Sequence, residues 1–486
     1  MKRLLWILTA AWLLTACGDG EELISPDTQK TTPPKLPELT EPEALPHVDD
    51  VMEVIDDPYF ARYALVRFDS NGDGRLSMSE VERAERIIYD EDSPELQADY
   101  GRFISMKGIE YFKNLEALEV RSSVLIELDL SHNSNLRELR FKINQGECRL
   151  KKLNVSHTDL EELEIPTSEL EELQVSGSRL EKLSVLSTNG ALKSLDVRYC
   201  EDLEVLELRH AALSSIDLRY CPRLEHLTIN KTAINTIDLT QNSELSSVVL
   251  QENALSTINL SRNTKVETLS LRGNKIKTID ISKLRDLTYL DVSQNPISKI
   301  DISHAEELTL LYFDETNISE INTDLNPELA ILSCGNAKLK TLDLTTNPNI
   351  SNLHCPNNEI TQISFGSTDR LKLLCCENNR FTSLDFSSLN LTHWIEWTDE
   401  TFSPTFAPQP NLEVLTLAAC TRLVSLKQFT DCPKLRKVIL HANKVPELSY
   451  EGKITRSKAT LYVPSEAIAS YEASPWAEAF AEVRSL

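Results

Sequence analysis

Along most of the chain, leucine, isoleucine and valine recur in the arrangement LxxLxL. The pattern begins at Leu115. From Leu203 onward its starts fall at Leu213, Leu224, Ile234, Leu245, Leu255, Val266, Ile276, Leu287, Ile297, Leu308, Ile318, Leu329, Leu339, Ile350, Ile360, Leu371 and Phe381. Steps of ten and eleven residues alternate, so the repeat is 21 residues with two extended segments in each. Self-similarity at such a period marks a stacked array. The spaced apolar residues point into the coil and those between them face outward. No coil buries its apolar side alone, so stability is shared between neighbours. Stacking at roughly 4.8 Å gives about fifteen coils a length on the order of 70 Å. The exposed sheet is assigned to the segments beginning Leu203, Leu224, Leu245 and their equivalents, which follow steps such as Cys221-Pro222-Arg223-Leu224 and Asn347-Pro348-Asn349-Ile350. The other half, such as 276–281, then lines the opposite side; the reverse assignment stays open. Between 150 and 192 the rhythm shortens to LKKLNV, LEELEI, LEELQV and LEKLSV, predicting tighter or irregular coils. Beyond Leu412 the step lengthens, and 459–483 stops repeating, as a cap would.

The segment Leu287-Thr288-Tyr289-Leu290-Asp291-Val292-Ser293-Gln294-Asn295-Pro296-Ile297 reads LxxLxLxxNxI. It resembles the leucine-rich repeat consensus at each position, and the resemblance extends over 115–448. It implies a right-handed, curved solenoid of parallel strands with the sheet on its concave side. The tail, with its phrase LYVP and later Tyr471 and Trp476, resembles the closing segment of BspA-like bacterial surface repeat proteins.

The chain opens MKRLLWILTAAWLLTAC, with Lys2 and Arg3 ahead of an apolar run too short to span a bilayer comfortably. Leu14-Thr15-Ala16-Cys17 resembles the bacterial lipobox, which implies removal of 1–16 and a lipid on Cys17. A plain secretory signal followed by an unrelated cysteine is the alternative. Gly18-Asp19-Gly20-Glu21-Glu22 resembles the acidic export signals of Bacteroidetes-type surface lipoproteins, or is a solvated spacer. Residues 17–50 then form a linker with Pro26, Pro33, Pro34, Pro37, Pro42 and Pro46, expected to act as a semi-rigid stalk.

Residues 51–112 read as a small helical unit ahead of a solenoid over 113–450 and a cap over 451–486. Residues 58–68 form an amphipathic helix carrying Phe60, Ala64 and Phe68. Next comes Asp69-Ser70-Asn71-Gly72-Asp73-Gly74-Arg75-Leu76-Ser77-Met78-Ser79-Glu80, which resembles the EF-hand loop. The resemblance implies one Ca²⁺ held by Asp69, Asn71, Asp73, the Arg75 carbonyl, Ser77 and both oxygens of Glu80. Gly74 permits the turn and Leu76 anchors the loop. The alternative is a degenerate loop kept as a turn. An exit helix over 79–89 should turn Val81, Ala84, Ile87 and Ile88 inward. Dockerin modules carry two such loops, and this chain has one.

Apolar residues make up 41% and charged residues 26% of the 486, a folded composition. With 75 acidic against 50 basic residues the net charge is −25, which argues against a nucleic-acid groove. Thirteen glycines leave little for Gly-rich phosphate loops. Ten cysteines in an exported chain invite a disulfide reading, but the repeat places them otherwise. Cys334, Cys355 and Cys376 take the inward slot of Val292 and Phe313, while Cys200, Cys221, Cys420 and Cys432 take the slot of Asn242, Asn263 and Asn347. Cys375 should point outward. Scattered histidines and the absence of HExxH, GxSxG or CxxC motifs argue against an enzyme.

Two columns carry candidate function. Asp217, Asp238, Asn259, Asp280, Asp301, Asn322, Asp343, Ser364 and Asp385 share one slot, either as acceptors for local backbone or as an acidic stripe. The third residue of each sheet segment runs Val205, His226, Ser247, Thr268, Tyr289, Leu310, Ile331, Asn352, Leu373, Trp394 and Val414, turning mostly apolar from Tyr289. Beside it lie Asp291, Tyr312, Asp314, His354, Glu377 and Glu396. A solvent-facing apolar stripe with a charged rim has the make-up of a protein interface. Alternatively the insertion 398–411 folds over it. The expected function is non-catalytic: an outer-membrane, lipid-anchored, surface-exposed receptor or adhesin of a Gram-negative bacterium, resembling internalin-like and BspA-like proteins, with a protein partner. Glycan binding through Tyr289, Tyr312 and Trp394 is the second reading and an enzyme or enzyme accessory the third.

Overall fold

A computed structural model describes residues 39–88, 103–121, 124–142, 148–165, 169–186, 190–366, 370–371, 373–381, 383–385, 411–417, 424–425, 432–446, 448–449, 454 and 456–486. Cys17, Trp394, Glu396, Cys420 and the insertion up to residue 410 lie outside them. The repeats wind into a parallel-strand solenoid of about 14 turns. Its main sheet has eleven strands, from Glu162–Ile165 to Leu373–Cys375, every neighbouring pair parallel. From Val205–Arg209 onward each strand pairs with the next in register at the 21-residue repeat, as in Tyr289↔Leu310 and Leu310↔Ile331. The sheet assignment therefore stands and the reverse one does not. The leucines between the outward residues, such as Leu290, Leu311 and Leu332, are completely buried.

Where the steps shorten, the coils change character. Glu127–Asp129, Lys152–Asn154, Glu172–Gln174 and Ser194–Asp196 form a second parallel ladder on the opposite side. Farther along, that side carries the pair Thr341–Leu344 with Gln362–Phe365, and then the strand Ser383–Asp385.

The turn leaving the sheet uses residues with little turn propensity. His210, Lys231, Glu252, Gln294, Glu315, Asn336, Asn357 and Asn378 all take φ between 53° and 57°, and Gly273 fills the same column. A left-handed non-glycine residue costs about 1–2 kcal/mol. The next residue shows what offsets it. Asn274 and Asn295 each donate from Nδ2 to a carbonyl 24 residues back and to another three back, at 2.7–3.2 Å, and Asn358 and Asn379 repeat the arrangement. Buried carbonyls are thus satisfied in these four coils.

A second ladder runs through Asn242, Asn263, Asn326 and Asn347, whose Nδ2 groups donate to carbonyls 24 and 21 residues earlier. Cys200 and Cys221 occupy that slot, and their thiols donate to Val175 and Val197 carbonyls at 3.1 and 3.5 Å. Burial pushes the Cys200 thiol up to about 11. Cys334, Cys355 and Cys376 are fully buried in the interior column, and Cys200, Cys221, Cys334 and Cys355 are free thiols. The aspartate column resolves to local acceptors. Asp217, Asp238, Asp280, Asp301 and Asp343 each accept the backbone N–H two residues on, at 2.9–3.2 Å.

The N-terminal unit departs from expectation twice. Helix α1, Pro58–Phe68, is capped by Asp57, whose other oxygen accepts the Ile104 N–H at 2.7 Å. Phe60 packs on Phe103 and Phe112, with ring centroids 5.6 and 6.2 Å away. Helix α2, however, spans only Met78–Val81. The chain then straightens, and Arg86–Ile87 pairs with Ala117–Val120 to begin the ladder. The first coil's edge takes a strand, which outweighs the helical spacing of Val81, Ala84 and Ile87. All three are buried as expected, with Ile88 less so. Residues 39–50 are likewise not a free stalk. Imidazole Nε2 atoms of His132 and His157 lie 2.8 and 3.1 Å from the Glu43 and Thr40 carbonyls, and Tyr111 Oη donates to the Pro46 carbonyl at 3.0 Å. An extended proline-rich segment leaves its carbonyls unsatisfied, and the coil turns supply the donors.

At the far end the ladder changes column. Val414–Leu417 pairs with Ser383–Asp385 on the opposite side, so Val414 does not continue the Tyr289–Leu373 column. The strands Lys437–Leu440, Thr460–Val463 and Glu482–Ser485 follow in order. Short helices α3 (Ile468–Glu472) and α4 (Pro475–Ala479) lie between the last two. They bury Tyr471 and Trp476, and Trp476 stacks on Phe480 at 5.8 Å.

Candidate functional site

The sheet face presents three parallel columns from Thr268 to Glu377. The strand alternation sets the first two, because one residue of each pair points in and the next points out. The first column is Tyr289, Leu310, Ile331, Asn352 and Leu373, joined by strand register. Its apolar members keep part of their surface in solvent, and Leu373 is 37% exposed. The second column is Ser270, Asp291, Tyr312, Ser333, His354 and Cys375. The third, two residues on, includes Arg272, Ser293, Asp314, Gly335 and Glu377.

Tyr289 and Tyr312 sit diagonally on adjacent strands, with ring centroids 5.5 Å apart and planes tilted by 37°. Burial, and then the Asp291 charge, raises both phenols above their ordinary values. Asp291 does not form part of a rim. It is 5% exposed, like Ser270 at 1% in the same slot of the preceding coil. One of its oxygens accepts the Ser293 N–H at 3.0 Å, and the other faces Ser270 Oγ at 3.5 Å. Burial dominates and raises its pKa, although the Ser293 hydrogen bonds and the Arg272 charge oppose the shift. Tyr312, Asp314, His354 and Glu377 do reach the surface, each half-buried.

A small polar cluster lies beside the stripe, and one of its members, Ser333, was not among the residues singled out from the sequence. Asp314 Oδ1 accepts the Ser333 hydroxyl at 2.9 Å and the Gly335 N–H at 2.6 Å. His354 Nδ1 lies 3.2 Å from Ser333 Oγ and 3.5 Å from Asp314 Oδ1. Serine, histidine and aspartate invite comparison with a hydrolytic triad. There the imidazole bridges the other two through different nitrogens. Here a single nitrogen meets both, and the serine proton is directed to the carboxylate. The cluster orients His354 at the surface and leaves Ser333 unactivated. The spacing of Asp314, Ser333 and His354, 19 and 21 residues, was the available signal.

The loop resembling an EF-hand places its side chains on its own backbone. Asp69 accepts from Gly72 and Gly74 N–H at 2.7 and 2.9 Å, Asn71 Oδ1 from Asp73 N–H, and Asp73 Oδ1 from Arg75 N–H. Gly74 takes φ 79°, the turn expected of it, and Leu76 is fully buried. Glu80 accepts Ser77 and Ser70 N–H at 3.0 and 2.9 Å, which with the two serine hydroxyls lowers its carboxyl to about 2. The oxygen donors and the turn suit a hard cation. Yet among the described residues no three His, Cys, Asp or Glu side chains are placed to hold an ion as they stand. Binding would require Glu80 to leave Ser77.

The model for the family described as Leucine Rich repeats (2 copies) matches residues 264–304. The fold is a leucine-rich repeat solenoid. Similar solved structures include the functional domain of InlJ from Listeria monocytogenes, whose description includes a cysteine ladder. It is 19% identical over 86% of this chain and 82% of that one, with a TM-score of 0.37. The internalin inlF of the same species is 18% identical over 66% of this chain and 92% of its own, at a TM-score of 0.38. A leucine-rich repeat protein of Leptospira interrogans is 16% identical over 84% and 97% of the two chains, at 0.43. No curated protein matches the chain.

Proposed function

We propose that this chain is a non-catalytic binding protein whose sheet face takes a protein partner. The observation that carries the reading is the first column. Tyr289, Leu310 and Ile331 follow one another on adjacent strands, and Leu373 stands beyond Asn352, all with apolar surface in solvent, where the preceding coils place His226, Ser247 and Thr268. Aromatic and aliphatic anchors on rigid strands meet a partner preorganised, so little ordering cost is added on binding. Truncating such central anchors typically costs about 2 kcal/mol or more. Tyr289→Ala with Ile331→Ala should therefore weaken capture of surface proteins by the full chain about 30-fold. His226→Ala with Thr268→Ala should change it little. Equal capture by both double variants, at unchanged melting temperature, discards this reading.

We further propose a lipid anchor on Cys17 at the outer membrane of a Gram-negative bacterium, and one Ca²⁺ at Asp69, Asn71, Asp73, Arg75, Ser77 and Glu80. The support is the lipobox and the loop's oxygen donors. Cys17→Ser should release the protein from membranes without detergent; a variant that stays bound contradicts the anchor. Calorimetric titration should show one weak site of roughly 10⁻⁴–10⁻³ M, and no heat over that range contradicts the ion.

A further inference from the structure

The sheet face has a second feature, in the row next to the apolar column on its N-terminal side. Glu161, Glu181, Glu204 and Glu225 occupy this row in four successive coils, and Glu267 follows after Ser246. Their stacking is fixed by backbone. Glu181 N–H donates to the Glu161 carbonyl at 2.8 Å, Glu204 to Glu181 at 2.9 Å, Glu225 to Glu204 at 2.9 Å, and Ser246 to Glu225 at 2.9 Å. Adjacent coils stand roughly 4.8 Å apart at the backbone, and Glu267 lies two coils beyond Glu225. All five glutamates are exposed, and none has an ion-pair partner among the described residues.

Elsewhere opposite charges pair between adjacent coils. Asp202 pairs with Arg223, Glu244 with Lys265, Glu359 with Arg380, and Glu171 with both Lys151 and Lys193. Arg223 and Lys265 lie in the row beside the glutamates, and their charges are already committed. The other bases near it are Arg179, in that same row, and Lys182, Arg209 and Arg272 elsewhere on the face. The five glutamates outnumber the uncommitted bases beside them, Arg179 and Lys182, so the row stays net negative.

The row ends where the apolar column starts. After Glu267 it reads Thr288, Thr309, Ala330 and Ser351, while the neighbouring column passes from Thr268 to Tyr289, Leu310 and Ile331. Two adjacent columns change character between the same two coils. The face is thus divided into an acidic section followed by an apolar one.

We propose that the partner is a basic protein, with a lysine- or arginine-rich segment over Glu161–Glu181–Glu204–Glu225–Glu267 and an apolar patch on Tyr289, Leu310, Ile331 and Leu373. This rests on the protein-binding reading of the sheet face and adds the chemistry of its occupant. Charge complementarity selects the occupant: a cationic segment relieves the stacked carboxylates, whereas an acidic glycan or nucleic acid adds to their repulsion. Long-range attraction also speeds encounter in a salt-dependent way.

The test uses the full chain in detergent and a fluorescent synthetic peptide with a lysine-rich half and a leucine- and tyrosine-rich half. Its control carries glutamate in place of lysine. The chain should bind the lysine peptide, and raising salt from about 50 to about 300 mM should weaken binding about tenfold. Glu181→Gln with Glu204→Gln and Glu225→Gln keeps the backbone ladder. It should lower low-salt affinity about tenfold and flatten the salt dependence. Tyr289→Ala with Ile331→Ala should lower affinity and keep the salt dependence. Three results overturn the proposal: binding of the glutamate control as tight as the lysine peptide, a triple glutamine variant that binds like the parent, or no salt-dependent binding at all. If the glutamine variant is silent while the Tyr289 and Ile331 variant loses binding, the acidic section fails and the sheet-face reading survives. If the apolar variant alone is silent, the sheet-face reading fails.

Discussion

Phe313→Ala should destabilise the solenoid by about 3–5 kcal/mol. Phe313 is among the largest fully buried side chains. It stands in the interior column that runs through Val292, Phe313, Cys334, Cys355 and Cys376, all completely buried. Its neighbours one coil away, Val292 and Cys334, are both smaller. The phenyl ring therefore fills space belonging to both adjoining coils, and neither neighbour can reach into the void its removal leaves. In a stacked array each unit is stabilised mainly by its neighbours, so a defect mid-array weakens coupling between the two halves. Urea unfolding followed by circular dichroism should show a lower midpoint and a broadened or split transition. A loss under about 1 kcal/mol with one sharp transition would mean the column relaxes easily, contrary to this packing.

Trp476→Ala should cost about as much, by a different route. The indole is completely buried, stacks on Phe480 with planes 4° apart, and meets Tyr471 edge-on at 6.1 Å. Its N–H donates to the Pro446 carbonyl at 2.8 Å. Alanine would remove a large aromatic surface and leave that carbonyl without its donor, with an expected loss of about 3–5 kcal/mol. The damage should stay local at first, because terminal units protect only the coil beside them. Hydrogen exchange should quicken in 437–486 while 205–375 stays protected. Uniform protection across the C-terminal strands of the variant would show that α3 and α4 are not the cap.

The 21-residue period made the sheet legible in the sequence, since it placed Leu290, Leu311 and Leu332 inside and Tyr289, Leu310 and Ile331 outside. The same register placed Cys334, Cys355 and Cys376 inside and Cys200 and Cys221 in the asparagine slot. Other features answer to forces that periodicity does not report. Lys231 and Glu252 adopt left-handed turns because the asparagines after them, or in the next coil, tie down the carbonyls, as Asn253 does for Ile229 at 2.7 Å. Asp291 shares its slot with Val249 and Ser270, so the column said nothing of its depth. Val81, Ala84 and Ile87 fit a helix, but an unpaired edge at Ala117–Val120 claims Arg86–Ile87 as a strand. Val414 fits the spacing of the sheet column but pairs with Ser383, because the strand Ser383–Asp385 offers its edge on the opposite side.

The central claim is that partners bind the sheet face. A photo-crosslinking residue placed at Leu310, in the middle of the apolar column, reports contact there; the same residue at exposed Lys277 reports the opposite side. Irradiating each variant of the full chain with surface-protein extract should give a discrete crosslinked species from position 310 and none from position 277. Crosslinking from position 277 alone, or equal yields from both, would contradict the account.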